Sequence, residues 1–226
     1  MTEATALPIT VDEDWLAMLS AGTLSPCKQL LLACQAEMRP EVRQIFDVND
    51  HVGGALLESA AGADLTDTFM QRLTDRLDTS EQIQTREVSG ESEKADGRPD
   101  WMPHALSDHI RRSGQRLKWR PVGVGVQQAR LGRTPAGERL YLLRARPGLP
   151  VPRHTHSGQE WTLLLTGGYT AGHQQYVAGD LHQEDETCLH DLRIDDDGPC
   201  ISLVMDEGQL RFSNPLLKLI QPLLGL

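Results

Sequence analysis

The chain carries two histidines, His154 and His156, two positions apart, with Glu160 four residues beyond the second. On a strand, that spacing places both imidazoles on the same face. A short turn at Ser157-Gly158 can bring the Glu160 carboxylate back to the pair. Two imidazole nitrogens and one carboxylate oxygen form a facial set that suits a divalent transition metal. Gly148 sits before the pair and Gly167-Gly168 closes the next strand, where sharp turns are needed. A lone strand histidine is usually an ordinary hydrogen-bonded residue. Here the company of the other two residues reverses that reading.

The surrounding sequence supports a β environment for this cluster. Short apolar runs at Val122–Val126, Leu140–Leu143, Trp161–Leu165 and Ile201–Met205 are separated by turn clusters at Arg133–Gly137 and Asp195–Pro199. That alternation predicts an all-β sandwich or barrel. Residues 11 to about 80 read differently, as helices. Ser25-Pro26 supplies an N-cap followed by proline at the first helical position. Pro40 opens a further helix with Val42, Ile45, Phe46, Val52 and Leu56 at three-or-four spacing, and Gly53-Gly54 predicts a kink or a close helix contact within it. Leu65, Phe69, Leu73 and Leu77 recur every fourth residue among charged neighbours, which predicts an amphipathic helix with a wet outer face. So small a helical module has a limited core and is expected to lean on a partner. Residues 86–103 are polar with Gly and Pro, and read as a linker. The expected domains are therefore 1–85, helical, and 104–226, β, each with its own core. The apolar C-terminal tail after Pro215 is expected to pack on the barrel or at a contact between two copies.

The string Gly148-x5-His154-x-His156-x3-Glu160-x6-Gly167 resembles the first motif of the cupin family at every fixed position. The resemblance implies a jelly-roll barrel, the double-stranded β-helix, with a metal inside. It also implies a fourth ligand from a second motif. Counting from Gly179-Asp180, that motif is degraded here: Asp185 stands for its proline, Thr187 for a glycine and Ile194 for its asparagine, but His190 holds the histidine position. The implied metal set is His154, His156, Glu160 and His190. His182 is set aside as a solvent-facing neighbour. Cys188, two residues before His190, reads as a core filler or as a thiol near the metal.

The resemblance extends over nearly the whole chain to the ChrR-type anti-sigma factors. It is carried by the order of Ala21–Leu24, Val52–Glu58, Lys118–Arg120, Gly123–Val126, Gly179-Asp180, and Cys200 with Leu210–Asn214. It implies an α+β protein: an N-terminal helical anti-sigma-like domain joined to a C-terminal cupin. It also implies a partner, a sigma factor of the extracytoplasmic-function type, and zinc as the first choice of metal. One departure is clear. Zinc-dependent members carry a His-x3-Cys-x2-Cys motif in the helical domain, and those positions fall here on Gln35, Arg39 and Val42. An Arg repels a cation and Val has no donor, so the helical half is expected to fold without metal. Cys27 and Cys34, on one helix face, read as two small buried residues.

Lys and Arg total 22 against 32 Asp and Glu, a formal charge of −10. That sign disfavours direct nucleic-acid binding and favours a basic protein partner. The acidic start MTEATALPITVDED lacks the order of an export signal, and the four cysteines form no CxxC pair, which predicts reduced thiols and a cytoplasmic protein. No apolar run has the length of a membrane span. The expected function is regulatory rather than enzymatic, with no catalytic residue. The helical half would hold a sigma factor, and the metal-binding cupin would answer an oxidant or ligand. A metal-dependent cupin enzyme and a small-molecule-binding cupin are the alternatives.

Overall fold

The computed structural model describes residues 13–62, 64–80, 97–186, 190–208 and 210–212. The described helices are α1 (Glu13–Ser20), α2 (Pro26–Met38), α3 (Pro40–Ser59), α4 (Asp67–Ser80) and α5 (His104–Arg112). Eleven strands follow: β1 (Arg120–Gly123), β2 (Val126–Arg133), β3 (Arg139–Ala145), β4 (Pro150–His156), β5 (Glu160–Thr166), β6 (Gly168–Ala171), β7 (Gln174–Val177), β8 (Leu181–Glu184), β9 (His190–Ile194), β10 (Cys200–Asp206) and β11 (Leu210–Phe212). They form a six-stranded sheet, β1-β2-β3-β10-β5-β8, and a five-stranded sheet, β11-β4-β9-β6-β7. This is the expected architecture, helices first and then a two-sheet cupin-like barrel.

Local chemistry accounts for the element boundaries. The Ser25 hydroxyl accepts a hydrogen bond from the Lys28 amide at 3.4 Å, and Pro26 starts α2 where no amide donor is needed. Val122–Val126 is a hairpin rather than one strand: Gly123 pairs with Val126 across the two-residue turn Val124-Gly125, and Gly125 takes φ +77°. The helix α3 runs unbroken through Gly53 and Gly54, and a Cβ at either would meet open space. Neither glycine therefore marks the close contact that the sequence suggested. The α5 helix lies in the segment assigned to the barrel and was not foreseen. Its first two amides, His104 and Ala105, donate to the Glu37 carboxylate of α2 at 2.6 and 2.8 Å. A carboxylate on those orphan donors is a favourable N-terminal cap.

The molecule divides into two compact units. One contains the described residues up to Asp50 and from Pro99 onward, and the other is His51–Arg98. In the first unit, helices and barrel are not separate cores. Trp15, Leu24, Leu30, Leu31 and Leu32 of the helical segment, and Met102 and Leu106 around α5, are buried in one cluster with Leu142, Trp161, Leu163, Leu203 and Met205 of the six-stranded sheet. A second, smaller cluster includes Leu149, Leu164, Tyr169 and Ile194 on the inner side of the sheets. The two-residue period of a strand explains this division. On β5, Trp161, Leu163 and Leu165 belong to the helix-side cluster, and Leu164 to the interior one. The expectation of independent cores fails because the outer face of the six-stranded sheet is apolar and the helices supply its cover. Met102, inside the expected linker, is part of that cover. The C-terminal tail lies outside the described residues.

The second unit contains the end of α3 and all of α4. Its apolar side chains face solvent: Leu56 and Leu57 are 67% and 77% exposed, and Phe69 and Leu73 are 45% and 42% exposed. The amphipathic pattern of α4 is present, but its apolar stripe is bare.

A shared core makes unfolding of α1–α2 and of the barrel one event. Leu31→Ala, at a fully buried site, should cost about 2–5 kcal/mol. Urea titrations followed by helical circular dichroism and by tryptophan emission should shift together. Two separated transitions in the wild type would contradict a shared core.

Candidate metal centre and its cavity

The β4–β5 hairpin carries three of the four expected ligands. His154 is buried on β4 and lines a cavity of about 1170 Å³ inside the barrel, as does Glu160 at the start of β5. His190 opens β9, and its Cα is the register partner of His154. His156 ends β4 opposite Leu210 of β11. The backbone therefore sets His154 and His190 side by side on adjacent strands. The side chains of His156 and His190, and Cys188 altogether, lie outside the described residues. Among the described residues, no group of three His, Cys, Asp or Glu side chains could hold a metal.

Glu160 is half-buried at the cavity wall, and the environment of its carboxyl was not legible in the motif. Burial raises the carboxyl to about 8, and the nearby Asp206 charge adds to the rise. Thr162 Oγ1 donates to Oε1 at 3.3 Å, and the Tyr141 hydroxyl lies 3.4 Å from Oε2. That hydroxyl also donates to Asp206 Oδ2 at 2.8 Å. Arg139 grips Asp206 in a fork, Nε to Oδ1 at 2.6 Å and Nη2 to Oδ2 at 2.9 Å. Glu160 and Asp206 are register partners on β5 and β10, so the two carboxyls share the inner face. Burial raises Asp206 as well, against the lowering effect of Arg139.

His182 departs from its expected place. It is not solvent-facing but lines the same cavity, with its side chain 12% exposed. Nδ1 lies 2.7 Å from the Tyr169 hydroxyl, and Nε2 lies 3.0 Å from Glu184 Oε1. The Tyr176 ring stacks on the imidazole with centroids 4.0 Å apart. Burial lowers the imidazole to about 4, so it is neutral at pH 7. In that state the hydrogen-bond pattern assigns the tautomer: Tyr169 O–H donates to Nδ1, and Nε2–H donates to Glu184. The period of β8 could have revealed this, because Leu181 packs in the helix-side cluster and the next residue must face inward.

In the helical segment, the three positions that the resemblance marks for zinc ligands do other work. Gln35 is fully buried, with Nε2 donating to the Gly179 carbonyl at 3.4 Å. Arg39 pairs with Asp180 at 2.7 Å, and Val42 is fully buried. Cys27 and Cys34 are buried thiols, pushed up by burial to about 11 and about 12. Such groups stay protonated at neutral pH and are poor ligands in that form.

The anti-sigma-E factor ChrR of Cereibacter sphaeroides is 33% identical to this chain over 213 residues, covering 94% of this chain and 95% of that protein. The chain belongs to the ChrR anti-sigma factor family. Residues 108–210 match the family described as the ChrR Cupin-like domain. The crystal structure of Rhodobacter sphaeroides SigE in complex with the anti-sigma ChrR superposes with a TM-score of 0.70 at 28% identity, covering 86% of this chain and 96% of that one. None of the described helices is long and apolar enough to cross a membrane.

The buried neutral His182 gives a signed pH response. Its folded pKa lies below its unfolded value, so the unfolded state binds the proton more readily. The full contribution is present above about pH 6.5 and is lost as pH falls toward about 4. The slope from this one group is at most about 1.4 kcal/mol per pH unit. His182→Gln should flatten the stability profile over that window in urea titrations at stepped pH. An unchanged difference between variant and wild type would show that His182 is not buried neutral.

Proposed function

We propose that this protein sequesters a sigma factor of the extracytoplasmic-function type, and that its cupin barrel holds one divalent metal, zinc first, through His154, His156, Glu160 and His190. The observation that carries the first part is end-to-end similarity: the curated relative is an anti-sigma factor, and the similar solved chain is bound to SigE. The bare apolar stripe on α4 and the end of α3 supports the same reading, since contiguous exposed apolar surface marks a partner site. A charge of −10 suits the basic faces typical of sigma domains. A cytoplasmic address and a regulatory rather than catalytic role go with this reading.

The donor chemistry supports the metal. His154 is buried on the cavity wall, and His190 is its strand partner. The Glu160 carboxyl, held near 8 by burial, would regain its charge beside a cation. When bound, zinc would cross-link β4, β5 and β9 and fix the turn between the first two. Tyr141 and Thr162 orient the Glu160 carboxyl, and Arg139 neutralises Asp206 next to it. The cavity is far larger than one ion requires, which favours a small organic molecule as an additional occupant.

Two measurements test these readings. Purified wild type should contain about one metal per chain by elemental analysis, and His190→Ala almost none. A wild type free of metal after zinc loading would remove the metal reading. The sigma factor encoded beside this gene should co-purify one-to-one at low salt. The double variant Phe69→Asp, Leu73→Asp should weaken that complex by about ten-fold or more, with the circular dichroism spectrum unchanged. Failure of the wild-type pair to associate would remove the sigma reading.

A further inference from the structure

We infer that Lys28 is a coupling residue, clasped between Trp161 and Glu207, through which the docking of α1 and α2 depends on the state of the barrel's metal site. The inference rests on the metal reading above. It starts from two adjacent pairs of residues on neighbouring strands. Glu160 and Trp161 are consecutive on β5, and so point to opposite faces: the carboxyl into the cavity, the indole into the helix-side core. Asp206 and Glu207 repeat the arrangement at the end of β10. Asp206 is the register partner of Glu160, and its carboxylate is held by Tyr141 and Arg139. The Glu207 carboxylate instead meets Lys28 Nζ at 3.0 Å. Each residue on the inner side therefore has an immediate neighbour that touches the helices.

Lys28 joins the two outer residues. Its ammonium lies 4.7 Å from the Trp161 ring centroid and 5.2 Å from that of Trp15 on α1, whose own centroids are 4.9 Å apart. A cation held over two aromatic faces and paired with a carboxylate is sensitive to small displacements of any of them. The same residues are tied to the turn that separates the histidine pair from Glu160. The Glu207 amide donates to the Gln159 carbonyl at 3.0 Å. Gly158 and Gly208 pack so closely that a Cβ at 208 would sit 2.6 Å from the Gly158 nitrogen. With no slack between these turns, a shift of the β4–β5 turn moves Glu207. A metal that fixes this turn fixes the two barrel partners of Lys28, Trp161 and Glu207. The other end of α2 is held separately, by Arg39 on Asp180 in the β7–β8 turn.

The test uses the full chain, stripped with a chelator or reloaded with zinc alone. Zinc per chain is counted, and amide hydrogen exchange is followed in peptides covering residues 13–38. In the wild type, zinc should slow exchange across α2 by about ten-fold. In Lys28→Met, which keeps an aliphatic stem over the rings, zinc should still bind at about one per chain but exchange should no longer respond. Glu207→Gln should behave in the same way, and serves if the first variant does not fold. Arg39→Met should raise exchange with and without zinc but preserve the difference between them. Zinc uptake with unchanged exchange in the wild type overturns the coupling and leaves the metal reading standing. A full zinc response in folded Lys28→Met, or in Glu207→Gln, overturns the assignment to this clasp. A wild type that takes up no zinc overturns the metal reading, and the coupling falls with it.

Discussion

The six-stranded sheet is covered on both faces, and the rest of the structure follows from that cover. One face lines the barrel cavity, with Tyr141, Glu160, Thr162 and His182 among its residues. The other is too apolar to meet water, with Trp161, Leu163, Leu203 and Met205 nearly or fully excluded from solvent. Burial of side chains of this size is worth roughly 1.5–3 kcal/mol each. That driving force recruits α1, α2 and α5 as the second cover. It also explains why α5 forms within the segment that the sequence assigned to the β domain. Leu106 sits at 0% exposure in the helix-side core, and Glu37 fixes the end of the helix.

Fold class was legible because its signals are local. The cupin string and the spacing of turns need no knowledge of the rest of the chain. The Ser25-Pro26 start was legible for the same reason, as one cap and one proline decide it. What escaped was set by tertiary context. Nothing in Leu30, Leu31 and Leu32 says whether they pack on other helices or on a sheet. The alternation of β5 and β10 was visible, but not that both of its phases would be buried. Gly53-Gly54 reads as punctuation, yet α3 passes through it, because glycine lowers helical preference by about 1 kcal/mol each without forbidding the helix.

The candidate site shows the same division. The motif named residues that could reach a metal, but not the groups that set their electrostatics. Asp206 is 46 residues from Glu160 in the chain, and becomes its strand partner only when β10 inserts between β3 and β5. His182 was discounted by counting motif positions. Its place on β8 instead gives it Tyr169, Tyr176 and Glu184 as neighbours. At Gln35 and Arg39 the sequence alone shows only the loss of a zinc-ligand pattern. Their positive role, contact with Gly179 and Asp180, required the barrel to be in place.

The chain leaves the first compact unit after Asp50 and returns to it at Pro99. The return is pinned by the Glu37 carboxylate on the first amides of α5. The stretch bearing the bare apolar stripe is therefore inserted, along the chain, between two segments of one core. Substitutions along that stripe therefore change a surface without opening a gap in the shared core.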